Sequence, residues 1–333
     1  MAKIRMAING FGRIGRHAFK IAMESKHIQV VAINDLTDNK TLAHLLKHDT
    51  AYPMYEKSVS FTKDAIVIGK KKIPAFSERN PEDLPWKKLK VDVVLECTGV
   101  FRTKEAAERH LTAGAKKVLI SAPGKGEGIV TLVKGINEKT YKKTQKIVDN
   151  ASCTTNCTAP IMQVMESSFG IKKAMLTTVH SYTADQRLQD APHKDLRRAR
   201  AANLNIVPTS TGAAIATTKV IPSLVGKFDG MSIRVPTITV SLTDITLLLK
   251  KKTTIEEVNR ALTKASKFSM KGLLAVSDEP LVSSDYIGNP YSCTVDLAFT
   301  NVVDKDLVKI VAWYDNEWGY ANRLVEMAAH IGS

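Results

Sequence analysis

The sequence predicts an α/β protein: a doubly wound, largely parallel sheet, followed by an α+β domain built on a mixed sheet. Three observations predict it. A short apolar strand, Arg5-Met6-Ala7-Ile8, runs directly into a glycine-rich turn and then into a helical pattern. Two nearly continuous apolar runs, residues 91–97 and 118–121, have the character of strands buried on both faces of a parallel sheet. Beyond about residue 170 the pattern changes to alternating runs, such as 232–240, and an amphipathic helix over 253–267.

The glycine-rich turn is Asn9-Gly10-Phe11-Gly12-Arg13-Ile14-Gly15, a G-x-G-x-x-G between strand and helix. Ala18, Phe19, Ala22 and Met23 continue at helical spacing, and the next strand, 28–35, ends in Asp35. The glycine pattern alone is weak; in this setting, with an acid closing the second strand, it is a Rossmann-type dinucleotide fingerprint. The glycines let backbone approach a pyrophosphate at a helix N-terminus, and Asp35 is placed to accept from a ribose hydroxyl. Leu36, which follows, offers nothing to a 2′-phosphate, so NAD is expected over NADP. In such a sheet ligands lie at the C-terminal ends of strands, which makes Thr98, Gly99 and Ser121 further cofactor candidates.

Length and composition set the bounds. At 333 residues the chain has room for two domains, expected at 1–151, completed by a C-terminal helix 316–333, and at 152–315. No apolar run spans a bilayer, and the N-terminus enters a strand too early for a signal peptide. Four scattered cysteines do not make a disulfide framework, so a reducing cytoplasm is expected. Cys153 and Cys157 lack two further ligands at short spacing, so no metal is expected. The net charge of +15 is spread in pairs and triplets such as Lys70-Lys71-Lys72. Aromatics do not interleave with them, which argues against nucleic acid as the primary partner, while a positive field favours phosphorylated metabolites.

The chemistry centres on Asn150-Ala151-Ser152-Cys153-Thr154-Thr155-Asn156-Cys157, at the junction of a short strand and a helix. Unpaired N–H groups and the helix dipole favour a thiolate there, so the Cys153 pKa is expected to be lowered. His180 ends a strand, and a histidine beside a thiolate supplies the proton acceptor that a cysteine nucleophile needs. Thiolate plus nicotinamide implies aldehyde oxidation: sulfur adds to the carbonyl, hydride leaves, and a thioester conserves the energy.

These motifs, with Glu96-Cys97-Thr98-Gly99, His180-Ser181-Tyr182-Thr183, residues 193–200, Thr211-Gly212-Ala213-Ala214, Arg234-Val235-Pro236-Thr237 and residues 313–320, resemble the phosphorylating glyceraldehyde-3-phosphate dehydrogenase family along essentially the whole chain. The resemblance implies Cys153 as nucleophile and His180 as base. Thr183 and Arg234 would bind the substrate's phosphate. Ser152, Thr154, Thr211 and Gly212 would line the site for attacking inorganic phosphate. Arg198, also expected to bind substrate, would lie in an S-shaped loop facing a neighbouring subunit. Asn316 would orient the nicotinamide, and the cofactor set is completed by Asn9, Gly10, Phe11, Gly12, Arg13, Ile14, Asp35, Arg79, Thr98, Gly99, Ser121 and Tyr320. A homotetramer acting on glyceraldehyde 3-phosphate and inorganic phosphate is implied. Departures such as Ile215, where many members carry lysine, touch none of the nucleophile, base or phosphate groups. The alternatives are an erythrose-4-phosphate dehydrogenase and, outside enzymes, a basic nucleic-acid-binding protein of the same fold.

Overall fold

A computed structural model describes residues 3–333. They form two compact units, one of residues 3–132, 140–151 and 321–333, the other of 133–139 and 152–320.

The first unit begins with β1 (Ile4–Asn9), α1 (Arg13–Glu24), β2 (Ile28–Asn34) and α2 (Asn39–Lys47). The strands β3 (Val59–Thr62), β4 (Ala65–Ile68) and β5 (Lys71–Phe76) follow, then β6 (Val93–Glu96), α3 (Lys104–Thr112), β7 (Lys117–Ile120), β8 (Val130–Thr131) and β9 (Ile147–Asp149). The sheet order is β3-β4-β5-β2-β1-β6-β7-β9-β8. From β5 through β8 every pairing is parallel, while β3, β4 and β5 pair antiparallel. The strand order reverses direction between β1 and β6, so their C-terminal ends frame the crevice where such sheets bind ligands. Met6, Ile8, Phe19, Ile33 and Leu95 fill the core beneath. The helices are capped by their own sequence: Asp38 accepts from Thr41 N–H at 2.9 Å, and Thr103 accepts from Ala106 N–H at 3.3 Å.

The second unit comprises α4 (Cys153–Phe169), β10 (Ile171–Ser181), β11 (Val207–Ser210), α5 (Ala213–Val220), β12 (Phe228–Val235), β13 (Ser241–Leu249), α6 (Ile255–Lys267), β14 (Leu274–Ser277), β15 (Cys293–Val303) and β16 (Leu307–Tyr314). Its mixed sheet runs β11-β12-β10-β13-β16-β15-β14, with β10–β12 and β14–β15 parallel and the other pairs antiparallel. Alternation along β13 buries Ile245, Leu247 and Leu249, against which α4 packs. A capping box fixes the start of α6: Thr254 Oγ1 accepts from Glu257 N–H, and Glu257 accepts from Thr254 N–H. The helix α7 (Trp318–Gly332) closes the chain.

Three sequence boundaries shift. The alternating run expected as one strand over 232–240 divides, because Pro236 has no N–H to give the ladder. The chain turns there and re-enters β13 at Ser241, through a left-handed Val240 (φ 68°). Residues 133–139 join the second unit, where Gly135 lies against Leu273. Residues 316–320 belong there too, because Asp315 ties that turn down. Its Oδ1 accepts from Glu317 and Trp318 N–H, and its Oδ2 accepts from Gly288 N–H.

Candidate active site

In the first unit the cradle is formed by strand ends. Asn9 closes β1, and Gly10 follows with φ 91°, a left-handed conformation that favours glycine. A Cβ on Gly10 would lie 2.6 Å from Thr98 N, so the turns after β1 and β6 are pressed together. A Cβ on Gly12, the N-cap of α1, would meet nothing within 4 Å. The space over that helix start is therefore open, as a pyrophosphate needs. Phe11 N–H donates to Asp35 Oδ2 at 2.7 Å, and Thr37 N–H to Oδ1 at 3.0 Å. Each Asp35 oxygen keeps acceptor capacity, so the residues fit a dinucleotide.

Other expected cofactor residues are placed less directly. Arg13 pairs with Asp49 at 2.7 Å. Although burial opposes it, this contact holds the Asp49 carboxyl below the usual carboxylate range. Ile14 packs on the core, and Arg79 is exposed after β5. Thr98 turns its hydroxyl inward to Glu96, leaving Gly99 (φ 73°) with open space above it. Ser121 follows β7, its N–H donating to Glu96 O at 3.0 Å.

In the second unit, Ser152 caps α4, with Oγ accepting from Thr155 N–H at 3.0 Å. Cys153 is therefore the first helical residue, and the residue before the cap, Ala151, is held left-handed (φ 53°). Such strain costs on the order of 1–3 kcal/mol and persists where surroundings enforce it. Cys153 Sγ lies 3.4 Å from His180 Nε2. His180 Nδ1 lies 2.7 Å from Ser181 O. A carbonyl can only accept, so Nδ1 carries the proton and Nε2 presents its lone pair to sulfur. Arg234 Nη1 donates to Ser181 O at 3.2 Å and to Thr183 Oγ1 at 3.4 Å, and it sits 3.2 Å from Nδ1.

The expected lowering of the thiol pKa meets an opposing force. Burial pushes the Cys153 thiol up to about 11, with Arg234 pulling the other way. Burial also brings the His180 imidazole down to about 3, and Arg234 adds to that. Neither group is favoured to carry charge alone. Moving the proton from Sγ to Nε2 creates opposite charges in contact, which offsets both penalties. The thiolate here depends on its imidazolium and on Arg234 as well as on the helix terminus.

Around this pair the structure gathers Thr154, whose Oγ1 bonds Tyr314 Oη at 2.9 Å. The same Oη bonds Thr178 Oγ1 at 2.9 Å, and the Tyr314 ring stands edge-on to His180 with centroids 5.9 Å apart. Arg198 is held by three partners: Nη1 meets Asp185 at 2.5 Å, Nε donates to Thr209 Oγ1 at 2.9 Å, and Nη2 to Ser210 O at 3.2 Å. Thr211 and Gly212 start α5, with Thr211 Oγ1 accepting from Ala213 N–H at 3.2 Å. Asn316 is buried and accepts from Ser241 Oγ at 2.9 Å. Ser241 Oγ in turn accepts from Ser181 N–H at 3.1 Å. Tyr320 is buried near the start of α7. Cys157 is buried one turn beyond Cys153, against Thr243.

Sequence reasoning missed Tyr314, Ser241 and Glu96. Tyr314 and Glu96 lie inside motifs that the sequence displays, yet only three-dimensional contact shows what they hold.

The first unit carries a dinucleotide cradle and the second a Cys–His pair flanked by arginine, features in keeping with a nicotinamide-dependent oxidoreductase. Residues 4–104 match the model described as glyceraldehyde 3-phosphate dehydrogenase, NAD binding domain, and residues 152–316 match the C-terminal domain of the same family. The chain is 52% identical over 332 residues to glyceraldehyde-3-phosphate dehydrogenase 2 of Streptomyces avermitilis, covering 99% of each chain. It is 52% identical over 331 residues to the glyceraldehyde-3-phosphate dehydrogenase of Geobacillus stearothermophilus, covering 99% of this chain and 98% of the other. With glyceraldehyde-3-phosphate dehydrogenase 1 of Bacillus subtilis it shares 50% over 329 residues and 98% of each chain. The chain belongs to the glyceraldehyde 3-phosphate dehydrogenase family, and its cofactor is NAD.

Proposed function

We propose that this protein catalyses the NAD-dependent oxidative phosphorylation of D-glyceraldehyde 3-phosphate to 1,3-bisphosphoglycerate. The observation that carries the reading is the 3.4 Å approach of Cys153 Sγ to His180 Nε2, with Arg234 alongside.

The substrate's phosphate is assigned to Arg234 and Thr183, a planar guanidinium beside a hydroxyl, which suits phosphate oxygens. Cys153 then adds to the aldehyde carbon as its proton passes to His180 Nε2 and from there to the carbonyl oxygen, giving a hemithioacetal and a neutral imidazole. Bound NAD supplies the acceptor for the hydride lost from that carbon. His180 takes the hemithioacetal hydroxyl proton as the carbonyl re-forms, leaving an acyl thioester on Cys153. Inorganic phosphate, assigned to Ser152, Thr154, Thr211, Gly212 and Arg198, attacks the thioester carbonyl. The acyl phosphate leaves and the sulfur is regenerated. On the cofactor side Asp35 is assigned to the adenosine ribose. The Asn316 amide, its oxygen already engaged by Ser241, is left with its nitrogen for the nicotinamide carboxamide.

A homotetramer is part of the reading. Leu188, Leu196, Leu204 and Ile206 all lie in the 182–206 segment and are between 71% and 82% exposed, a set of apolar side chains suited to cover by a second copy. Cytoplasmic location is the other part, because a catalytic thiol and three further free cysteines need a reducing compartment. No helix among the described residues is long and apolar enough to cross a membrane.

The test is nicotinamide reduction with glyceraldehyde 3-phosphate and with erythrose 4-phosphate, each with and without inorganic phosphate. Phosphate-dependent turnover that favours the three-carbon aldehyde supports the reading. Preference for erythrose 4-phosphate would replace it with the second aldehyde, and no reduction of nicotinamide with either would overturn it.

A further inference from the structure

Beneath the cofactor cradle lies a buried polar network that the reaction itself does not use. Glu96, His110, Trp86 and Asn9 are each at most 1% exposed. Four donors converge on the Glu96 carboxylate. Asn9 Nδ2 donates to Oε2 at 2.6 Å, and His110 Nε2 lies 3.0 Å from the same oxygen. Thr98 N–H donates to Oε1 at 2.8 Å, and Thr98 Oγ1 bonds Oε1 as well.

The donor directions are forced from the outside inward. Indole N–H can only donate, and Trp86 Nε1 lies 3.1 Å from His110 Nδ1, so Nδ1 must accept. A neutral imidazole with an accepting Nδ1 carries its proton on Nε2, so Glu96 Oε2 must accept. On the other side Asn34 Nδ2 donates to Asn9 Oδ1 at 2.7 Å and to Glu78 O at 2.9 Å, while Asn34 Oδ1 accepts from Glu78 N–H at 2.8 Å. That chain leaves Asn9 only its Nδ2 for Glu96. Thr98 N–H is fixed by the backbone.

We propose that Glu96 is the positioning residue of the NAD site. Its two oxygens bind the turn that follows β1 to the turn that follows β6, with Trp86 and His110 setting the donor pattern from behind. Gly10, pressed against Thr98, is held at the pyrophosphate side of α1 by that clamp. A glutamine at 96 has the right shape and the wrong polarity. Its NH2 group meets either Thr98 N–H or the Asn9 and His110 donors, and no rotation of its amide avoids both.

The inference rests on the chain's use of NAD and deepens it, and calorimetric titration of NAD into the substrate-free protein tests it. Glu96→Gln is expected to raise the NAD dissociation constant at least about tenfold, the scale of a buried donor left unsatisfied. KM for NAD should rise with kcat at saturating NAD retained, and the rate of Cys153 alkylation should stay within about twofold, because the clamp does not touch the thiol. A general loss of structure would lower all of these together. A parent that binds NAD and a folded Glu96→Gln that binds within twofold of it would overturn the proposal. A parent that binds no NAD would overturn the cofactor reading with it. Nitrogen-15 histidine NMR gives a second readout on the parent, where His110 should carry its proton on Nε2 alone. A proton on Nδ1 would break the donor chain and overturn the proposal even if Glu96→Gln failed to fold.

Discussion

Arg234 Nη1 and His180 Nδ1 both donate to one acceptor, the carbonyl oxygen of Ser181, and lie 3.2 Å from each other. The carbonyl fixes which ring nitrogen is free. Burial and the guanidinium oppose a second proton on the ring, so the Nε2 lone pair is kept facing Cys153. Arg234 also favours the thiolate, so the one cation acts two ways on the pair: it eases the proton off sulfur and resists its arrival on the ring.

Replacing His180 removes the acceptor and leaves the partly buried thiol alone. Burial raises that thiol, so in His180→Asn the thiolate forms only as pH climbs toward the raised value of about 11. Alkylation of Cys153 by iodoacetamide, followed across roughly pH 5 to 10, should show its reactive form displaced to higher pH. Turnover should fall by about 10²–10⁴, the range for lost acid–base assistance. An unchanged alkylation profile would count against the pair.

Arg234→Ala should cost most on the phosphorylated aldehyde, on the order of 1.5–3 kcal/mol for one charge-assisted contact. Unphosphorylated glyceraldehyde should lose less. A second effect follows from the 3.2 Å contact. Arg234 helps to hold the imidazole low, so removing it lets the His180 pKa rise, and the acidic limb of the pH–rate profile should move to higher pH. Equal losses on both aldehydes with an unmoved acidic limb would make Arg234 structural.

Asp35 has two tasks, and two substitutions separate them. It anchors Phe11 N–H and Thr37 N–H, and it faces the adenosine ribose in the proposed site. Asp35→Ala should lower NAD efficiency through both losses. Asp35→Asn keeps one acceptor and removes the charge, so it should retain more NAD activity while narrowing the gap to NADP. A 2′-phosphate would sit well within the screening length of about 8–10 Å, so scattered surface lysines should not mask this effect. Comparable kcat/KM for NADP and NAD in the parent enzyme would contradict this role for Asp35.

Tyr314→Phe deletes the hydroxyl that joins Thr154 at the start of α4 to Thr178 on β10, two residues before His180. Two buried threonine hydroxyls would lose a partner, at about 0.5–1.5 kcal/mol each. Urea unfolding should register a loss of about 1–3 kcal/mol, and turnover should fall with it as the two reacting elements loosen. Full stability and full activity in the variant would show that the bridge holds nothing.

The sheet of the first unit was legible because apolar runs and a glycine turn are local signals. So was Cys153 at a helix start, since Ser152 is a capping residue by type. Three things lay beyond local pattern. The division of 232–240 depended on how the chain turns after Pro236. The thiol's dependence on its partners depended on how deeply it is buried. Glu96, Ser241 and Tyr314 act by touching residues far along the chain, as with Glu96 and Asn9, 87 positions apart. The resemblance places Arg198 in an S-shaped loop, and only the structure shows its nitrogens bonded to Asp185, Thr209 and Ser210.

The central claim is that oxidation passes through an acyl thioester on Cys153. The most direct measurement is a single turnover with glyceraldehyde 3-phosphate and NAD, without inorganic phosphate, followed by acid quench and mass analysis of the protein. The account predicts a burst of reduced nicotinamide approaching one per chain and a 3-phosphoglyceroyl adduct on Cys153 that adding phosphate discharges, with neither in Cys153→Ser. A burst of the same size in Cys153→Ser, or reduced nicotinamide formed with no adduct on Cys153, would contradict it.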